Sequence, residues 1–259
     1  VQDMRDMGLF GMTIPETYGG LGLTMEEEVR VAFELGQTSP AYRSLVGTNN
    51  GIGSLGLILA GSEAQKACYL PRMATGELIA SFALTEPGAG SDVASLRAHA
   101  SWDGSQWVLN GTKRFITNAP EAGLFTVFAR TASGISAFLV ERDASGLSVG
   151  ASDHKMGQQG AHTADVILED CKVPASGLLG AEGSGLRIAM KTLDRGRLHI
   201  AAVCVGIAER VLRDALRYAC ERHQFGQPIA GFQLVQAMLA DSQAEWYAAR
   251  SMVLEAARQ

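Results

Sequence analysis

The chain has 259 residues, 47% of them hydrophobic and 19% charged, with a net charge of -5. Such a composition is ample for a buried core, and with no basic block it excludes a nucleic-acid surface built on Lys and Arg. No apolar run approaches the ~20 residues of a membrane span, and no basic start followed by an apolar stretch marks a signal peptide. Cys68, Cys171, Cys204 and Cys220 lack metal-type spacing and read as free thiols of a reducing compartment. His99, His154, His162, His199 and His223 form no ligand pair, so no metal site is expected.

Residues 1–78 read as an N-terminal helical domain with glycine-rich connections. Thr24-Met25-Glu26-Glu27 and Ser62-Glu63-Ala64-Gln65 are capping-box patterns. Val29, Ala32, Phe33 and Gly36 then repeat at helical spacing. Residues 44–60 are apolar with Gly47, Gly51, Gly53 and Gly56 interspersed, as a tightly packed helix would be. Residues 79–182 form a strand-rich middle domain. Leu96, Ala98, Ala100 and Trp102 alternate with polar residues, Asp103-Gly104 reads as a turn, and Asn110-Gly111 reads as a second hairpin turn. Further strands are expected at 124–130, 135–140 and 164–168, and Asp170 to Pro174 closes the region. Short strands at this spacing predict an antiparallel barrel or sandwich. Residues 183–259 return to helix, with one long pattern from Gly185 to Glu221, a break from His223 to Gly231, and a second helix from about Phe232. Two long helices with a short connection predict part of a bundle. The fold class is therefore α+β, in the order helix, sheet, helix.

Two segments stand out chemically. Phe82-Ala83-Leu84-Thr85-Glu86-Pro87-Gly88-Ala89-Gly90-Ser91-Asp92 is a short apolar strand running into a turn whose glycines permit positive φ and close backbone approach. Phe115-Ile116-Thr117-Asn118 carries a ring and a hydroxyl two residues apart, on one face of a strand. A ring beside a hydroxyl, facing exposed amides, suits a flat heteroaromatic with polar edges. Either segment alone would be an ordinary strand and turn. Together, with Ile14-Pro15-Glu16, Tyr18 to Leu23, and Arg222-His223-Gln224-Phe225-Gly226 in order along the chain, they resemble the acyl-CoA dehydrogenase family of flavoenzymes over essentially all 259 residues.

The resemblance implies an FAD cofactor and α,β-dehydrogenation of an acyl-CoA thioester to the trans-2-enoyl-CoA. Electrons would pass to an electron-transferring flavoprotein, within a homotetramer or at least a dimer. Phe82, Leu84 and Thr85 would line the flavin's polar edge, partly through backbone groups. Phe115, which stands where the family often has tryptophan, and Ile116 would also contact the cofactor, and Thr117 offers its hydroxyl to the flavin. Ser91 would contact flavin phosphate or the substrate's pantetheine arm, although a turn-stabilising serine fits as well. Asp194 and Arg197 match substrate-facing positions, where the plain alternative is an i,i+3 ion pair. Arg222 with Phe225, and Gln233 on the next helix, match positions that reach a neighbouring subunit's FAD. The residues 44–60 would help wall the acyl pocket. The short-chain branch is the nearest in character, and the compartment would be bacterial cytoplasm or mitochondrial matrix.

The catalytic base is the departure. Some branches carry a glutamate at the position of Gly196, and most carry it in a late glutamate-glycine motif that would lie beyond Gln259. With Val1 at its start and a helical pattern at its end, the chain reads as trimmed at both termini. An acyl-CoA oxidase, or a non-catalytic scaffold of the same fold that binds FAD or acyl-CoA, are the alternatives.

Overall fold

The computed structural model describes all residues from Val1 to Gln259. The first third is helical: α1 (Gln2–Asp6), α2 (Met25–Gly36), α3 (Pro40–Thr48), α4 (Leu55–Ala60) and α5 (Glu63–Ala74). Both predicted capping boxes are formed, at Thr24 with Glu27 and at Ser62 with Gln65. The glycine-rich stretch after α3 is not continuous α-helix. Asn49–Gly53 makes a π-turn before α4, and two buried asparagines hold it. Asn49 donates Nδ2 to the carbonyls of Phe10 and Met73 and accepts from the Ala80 N–H at 2.9 Å. Asn50 donates to the carbonyls of Leu9 and Val46 and accepts from the Thr13 N–H. These bonds satisfy the buried amides and backbone groups together, which a regular helix at this place would leave to other partners. A Cβ at Gly53 would stand 2.8 Å from the Thr48 carbonyl and 3.1 Å from the Ala80 side chain, so glycine is required for this approach.

The middle of the chain supplies eight strands of one sheet: β1 (Ala80–Ala83), β2 (His99–Trp102), β3 (Gln106–Thr117), β4 (Leu124–Thr131), β5 (Gly134–Glu141), β6 (Leu147–Val149), β7 (Thr163–Pro174) and β8 (Leu178–Leu179). Their order is β6-β7-β3-β2-β4-β5-β8, with β1 paired to β4. Most pairings are antiparallel, as the short spacings predict, but β1 and β2 each run parallel to β4, which makes the sheet mixed. The sequence Asn110-Gly111 is not a hairpin turn. It lies inside the twelve-residue β3, where the register on β7 shifts between Leu109 and Gly111. Gly111 has φ 143°, and a Cβ there would meet Ala98 at 2.6 Å, so the glycine serves a bulge and a close contact. Likewise Asp170 to Pro174 does not close the sheet: it is the end of β7, and β8 follows. Both faces of the central strands are covered. Leu124 and Phe128 join a cluster with Phe82, Leu84 and Leu139, whereas Phe125 and Val127 join one with Leu109, Ile116 and Phe138.

The last part holds α6 (Gly185–Glu221), a two-residue hairpin of β9 (His223–Gln224) and β10 (Gln227–Pro228), and α7 (Gln233–Arg258). No helix is long and apolar enough to cross a membrane. The chain resolves into two compact units that do not follow sequence order, residues 1–23 with 44–196 and residues 24–43 with 197–259. In the second unit, α2, the later part of α6, and α7 share a core of Val29, Phe33, Ala202, Val203, Val253 and Leu254. Gly36 and Gly206 let α2 and α6 touch backbone to backbone, since a Cβ at Gly206 would lie 2.1 Å from the Phe33 carbonyl.

Candidate functional site

In the first unit the two segments singled out in the sequence are joined. The chain leaves β1 at Ala83, and the carbonyl of Thr85 accepts the N–H of Arg114 on β3 at 2.8 Å. The neighbouring carbonyl of Leu84 accepts Lys113 Nζ at 3.1 Å. Glu86 and Ala89 then exchange backbone hydrogen bonds and close the turn. Neither Gly88 nor Gly90 has the positive φ that the glycine content suggested. Sterics do not require them either: apart from chain neighbours, no atom lies within 4 Å of where either Cβ would stand. The outer side of the turn is thus open backbone.

Beneath it lies an ion pair. Lys113 is fully buried and Glu86 is 8% exposed, and Nζ meets Oε1 at 2.8 Å. Glu86 also accepts the N–H groups of Arg97 at 2.6 Å and Ala98 at 2.9 Å. Burial works against the charge on Glu86, but the Arg97 N–H, the Lys113 ammonium and the Ala98 N–H outweigh it and hold the carboxyl below its ordinary range. Burial pulls Lys113 below the usual lysine range, with Glu86 opposing. Sequence reading passed over this pair. The available signal was a lysine at Lys113, in register with buried Leu109 on the inward face of a strand.

Two residues beyond Lys113 the strand bulges. Register on β7 shifts between Lys113 and Ile116, and Phe115 has φ 58°. That conformation is a genuine outlier for a bulky residue. It turns the Phe115 ring outward, 59% exposed, and leaves the Ile116 side chain buried in the sheet core, so against the sequence expectation that side chain is not open to a cofactor. Arg114, paired with Asp165 at 2.9 Å, lies 4.9 Å from that ring. Thr117 is half-buried, and its carbonyl accepts Ser81 Oγ at 2.8 Å. The hydroxyls of Thr85, Ser91 and Thr117 make no hydrogen bond within the protein.

The remaining predicted residues fall as follows. Phe82 and Leu84 are buried, with the Phe82 ring 4.8 Å from that of Phe128, so only their backbone faces the turn region. Ser91 is exposed beyond the closed turn. Asp194 and Arg197 are exposed on α6, and a Cβ at Gly196 would meet only Ile52, at 3.4 Å. In the second unit, the Arg222 carbonyl accepts the Ile229 N–H and closes the β9–β10 hairpin. Phe225 and Gly226 form its turn with φ 53° and 80°, the torsions of a type I′ turn, which favours Asn-Gly over an aromatic. Phe225 is 95% exposed, and Arg222 and Gln233 are exposed beside it in sequence.

What these parts can do chemically is limited and specific. They offer an outward aromatic ring, unpaired hydroxyls and open backbone, which suits a planar ligand with polar edges. A second aromatic with positive φ, Phe225, stands exposed with its ring 6.2 Å from that of Phe232. Models of the acyl-CoA dehydrogenase N-terminal, middle and C-terminal domains match residues 1–77, 81–171 and 183–259. An acyl-CoA dehydrogenase of Bacillus subtilis is 40% identical over 262 residues, covering 99% of the chain and 69% of that protein. A probable acyl-CoA dehydrogenase of Mycobacterium bovis is 42% identical over 259 residues, covering 98% of the chain and 66% of that protein. The solved structure of an acyl-CoA dehydrogenase complexed with FAD from Bacillus anthracis superposes with a TM-score of 0.95 at 40% identity, covering 99% of the chain and 44% of that one. The chain thus spans about two thirds of the length of these curated relatives. With three domain models in order and 40% identity along its whole length, the chain belongs to the acyl-CoA dehydrogenase family.

Proposed function

We propose that the protein binds FAD and dehydrogenates an acyl-CoA thioester between Cα and Cβ, passing electrons to an electron-transferring flavoprotein. The observation that carries this reading is Phe115. A bulky residue held at φ 58° with its ring exposed is strained within its own chain, and strain of this kind is characteristic of ligand sites. The residues fit the cofactor: an exposed ring for a flat ring system, and hydroxyls and N–H groups for its polar edge. When bound, FAD supplies the hydride acceptor, and the chain supplies placement.

In this reading Leu84 and Thr85 orient the cofactor through backbone N–H groups, because their carbonyls are already taken by β3. Thr117 and Thr85 add hydroxyl contacts, and Phe115 covers the ring. Ser91 binds a phosphate or the pantetheine arm. Asp194 and Arg197 position the thioester, and Arg222, Phe225 and Gln233 complete the site of a second copy. A guanidinium suits pyrophosphate because its planar fork gives paired charge-assisted bonds. No carboxylate of residues 1–259 is assigned to the α-proton.

The test is the visible spectrum of the protein, recorded without oxygen before and after short and medium acyl-CoA thioesters. Bleaching of a bound flavin by one of the thioesters is the expected outcome, and a shift without bleaching would mean binding without proton abstraction. Folded protein that retains no flavin would overturn the assignment.

A further inference from the structure

We propose that Lys113 and Glu86 are positioning residues, a buried ionic clasp that fixes the Leu84–Thr85 backbone in register with Phe115 and so sets where the flavin lies. The proposal rests on the FAD reading of this site. Its basis is connectivity. Lys113 is fully buried on β3, two residues before the bulge, and its ammonium bonds both the Leu84 carbonyl and the Glu86 carboxylate. Glu86 in turn accepts the N–H groups of Arg97 and Ala98, where the chain enters β2. One charge pair therefore ties together the end of β1, the turn, the start of β2 and the strand that carries the exposed ring.

The clasp also decides which backbone groups the turn offers. Lys113 takes the carbonyl of Leu84 and the Arg114 N–H takes that of Thr85, so two consecutive carbonyls are bonded toward β3. What remains for a ligand at those residues is N–H and the Thr85 hydroxyl, a set of donors. A site built this way favours a ligand edge rich in acceptors.

Stability does not account for the pair. A buried ion pair is commonly replaceable by apolar residues of similar volume without loss, and its best-attested use is to fix register. Here the register fixed is that of an otherwise open turn: Gly88 and Gly90 have no neighbour on their outer side. Both side chains are buried beneath the turn, so their effect on a ligand passes through the backbone they hold rather than through direct contact.

The experiment compares the parent with Lys113→Met, with the neutral double variant Glu86→Gln/Lys113→Met, and with Lys113→Arg. Amide hydrogen exchange is measured first in flavin-free protein. Within residues 84–91, exchange at the hydrogen-bonded Glu86 and Ala89 amides should rise at least about tenfold in both methionine variants, as expected when a charge-assisted hydrogen bond is lost, and stay near the parent in Lys113→Arg. Exchange in β4 should not change. Loaded with FAD, the folded double variant should bind at least about tenfold more weakly and show a shifted flavin absorption band and midpoint potential, signatures that a loss of global stability alone would not move. A folded double variant with unchanged exchange at 84–91 overturns the proposal. So does one with parent-like flavin affinity and spectrum. If the parent itself binds no FAD, the functional reading falls, and the flavin-free exchange data still decide whether the clasp holds the turn. Should Lys113→Met fail to fold, the double variant and Lys113→Arg carry the comparison.

Discussion

Phe115 holds a torsion that costs a bulky residue about 1–3 kcal/mol, with the Arg114 guanidinium 4.9 Å from its exposed ring. Asn tolerates this region, so Phe115→Asn should leave flavin-free protein as stable as the parent or more stable by about 1 kcal/mol, while weakening FAD retention. Thermal unfolding and flavin titration together check this, and a variant that loses stability yet keeps its flavin would contradict the ligand reading. Asp103 shows how a small side chain can be read from both directions. The Asp103-Gly104 turn was legible, and the structure adds that its carboxylate accepts the Ser105 N–H, the Gln106 N–H and the Ser105 hydroxyl, which lower its pKa to about 2 from 3.8. A carboxyl with a depressed folded pKa contributes stability above its unfolded pKa and loses it as pH falls through the folded one. The parent should therefore lose stability between about pH 4 and pH 2, and Asp103→Asn should flatten that part of the curve in acid denaturation measurements.

At the scale of elements, helix starts were legible because capping is local. Thr24 and Ser62 accept from the N–H three residues on, whatever the rest of the molecule does. Thr24→Ala should lower stability by about 1 kcal/mol. Asn110-Gly111 was misread for the complementary reason. A turn dipeptide and a bulge dipeptide have the same composition, and only the neighbouring strand β7 and the approach of Ala98 decide between them. The π-turn at Asn49–Gly53 was also hidden, since its amide partners Phe10, Met73 and Ala80 are distant in sequence. The meeting of α2 and α6 yields a sharp prediction. Gly206→Ala gains about 1 kcal/mol in helix propensity. It also puts a methyl 2.1 Å from the Phe33 carbonyl, and with an overpacking cost of roughly 1–3 kcal/mol the protein should be destabilised by up to about 2 kcal/mol net in denaturant unfolding.

Across the whole molecule, the proposed function has Arg222 and Phe225 serve a second copy, and the hairpin exposes both. Two variants defective in different parts should then complement. Neither Thr117→Val nor Arg222→Ala alone should retain FAD, whereas an equal mixture, reassembled as random dimers, should restore about a quarter of the sites. Flavin content after gel filtration measures this, and no recovery in reassembled protein would argue that each chain completes its own site. The sequence by itself determined the order of helix, sheet and helix, the capped helix starts, the family, and the two segments at Thr85 and Phe115. The elements rest on periodicity, local hydrogen bonds and residue type, and the family on a resemblance carried by motifs in order, all of which are written along the chain. Only the tertiary structure decided that Lys113 and Glu86 pair beneath the turn, that Phe115 is thrown outward by a bulge, and that residues 24–43 pack with 197–259. Each of these depends on which distant residues meet, and burial makes a charge pair or a strained torsion tolerable only once the partner strand or helix is in place.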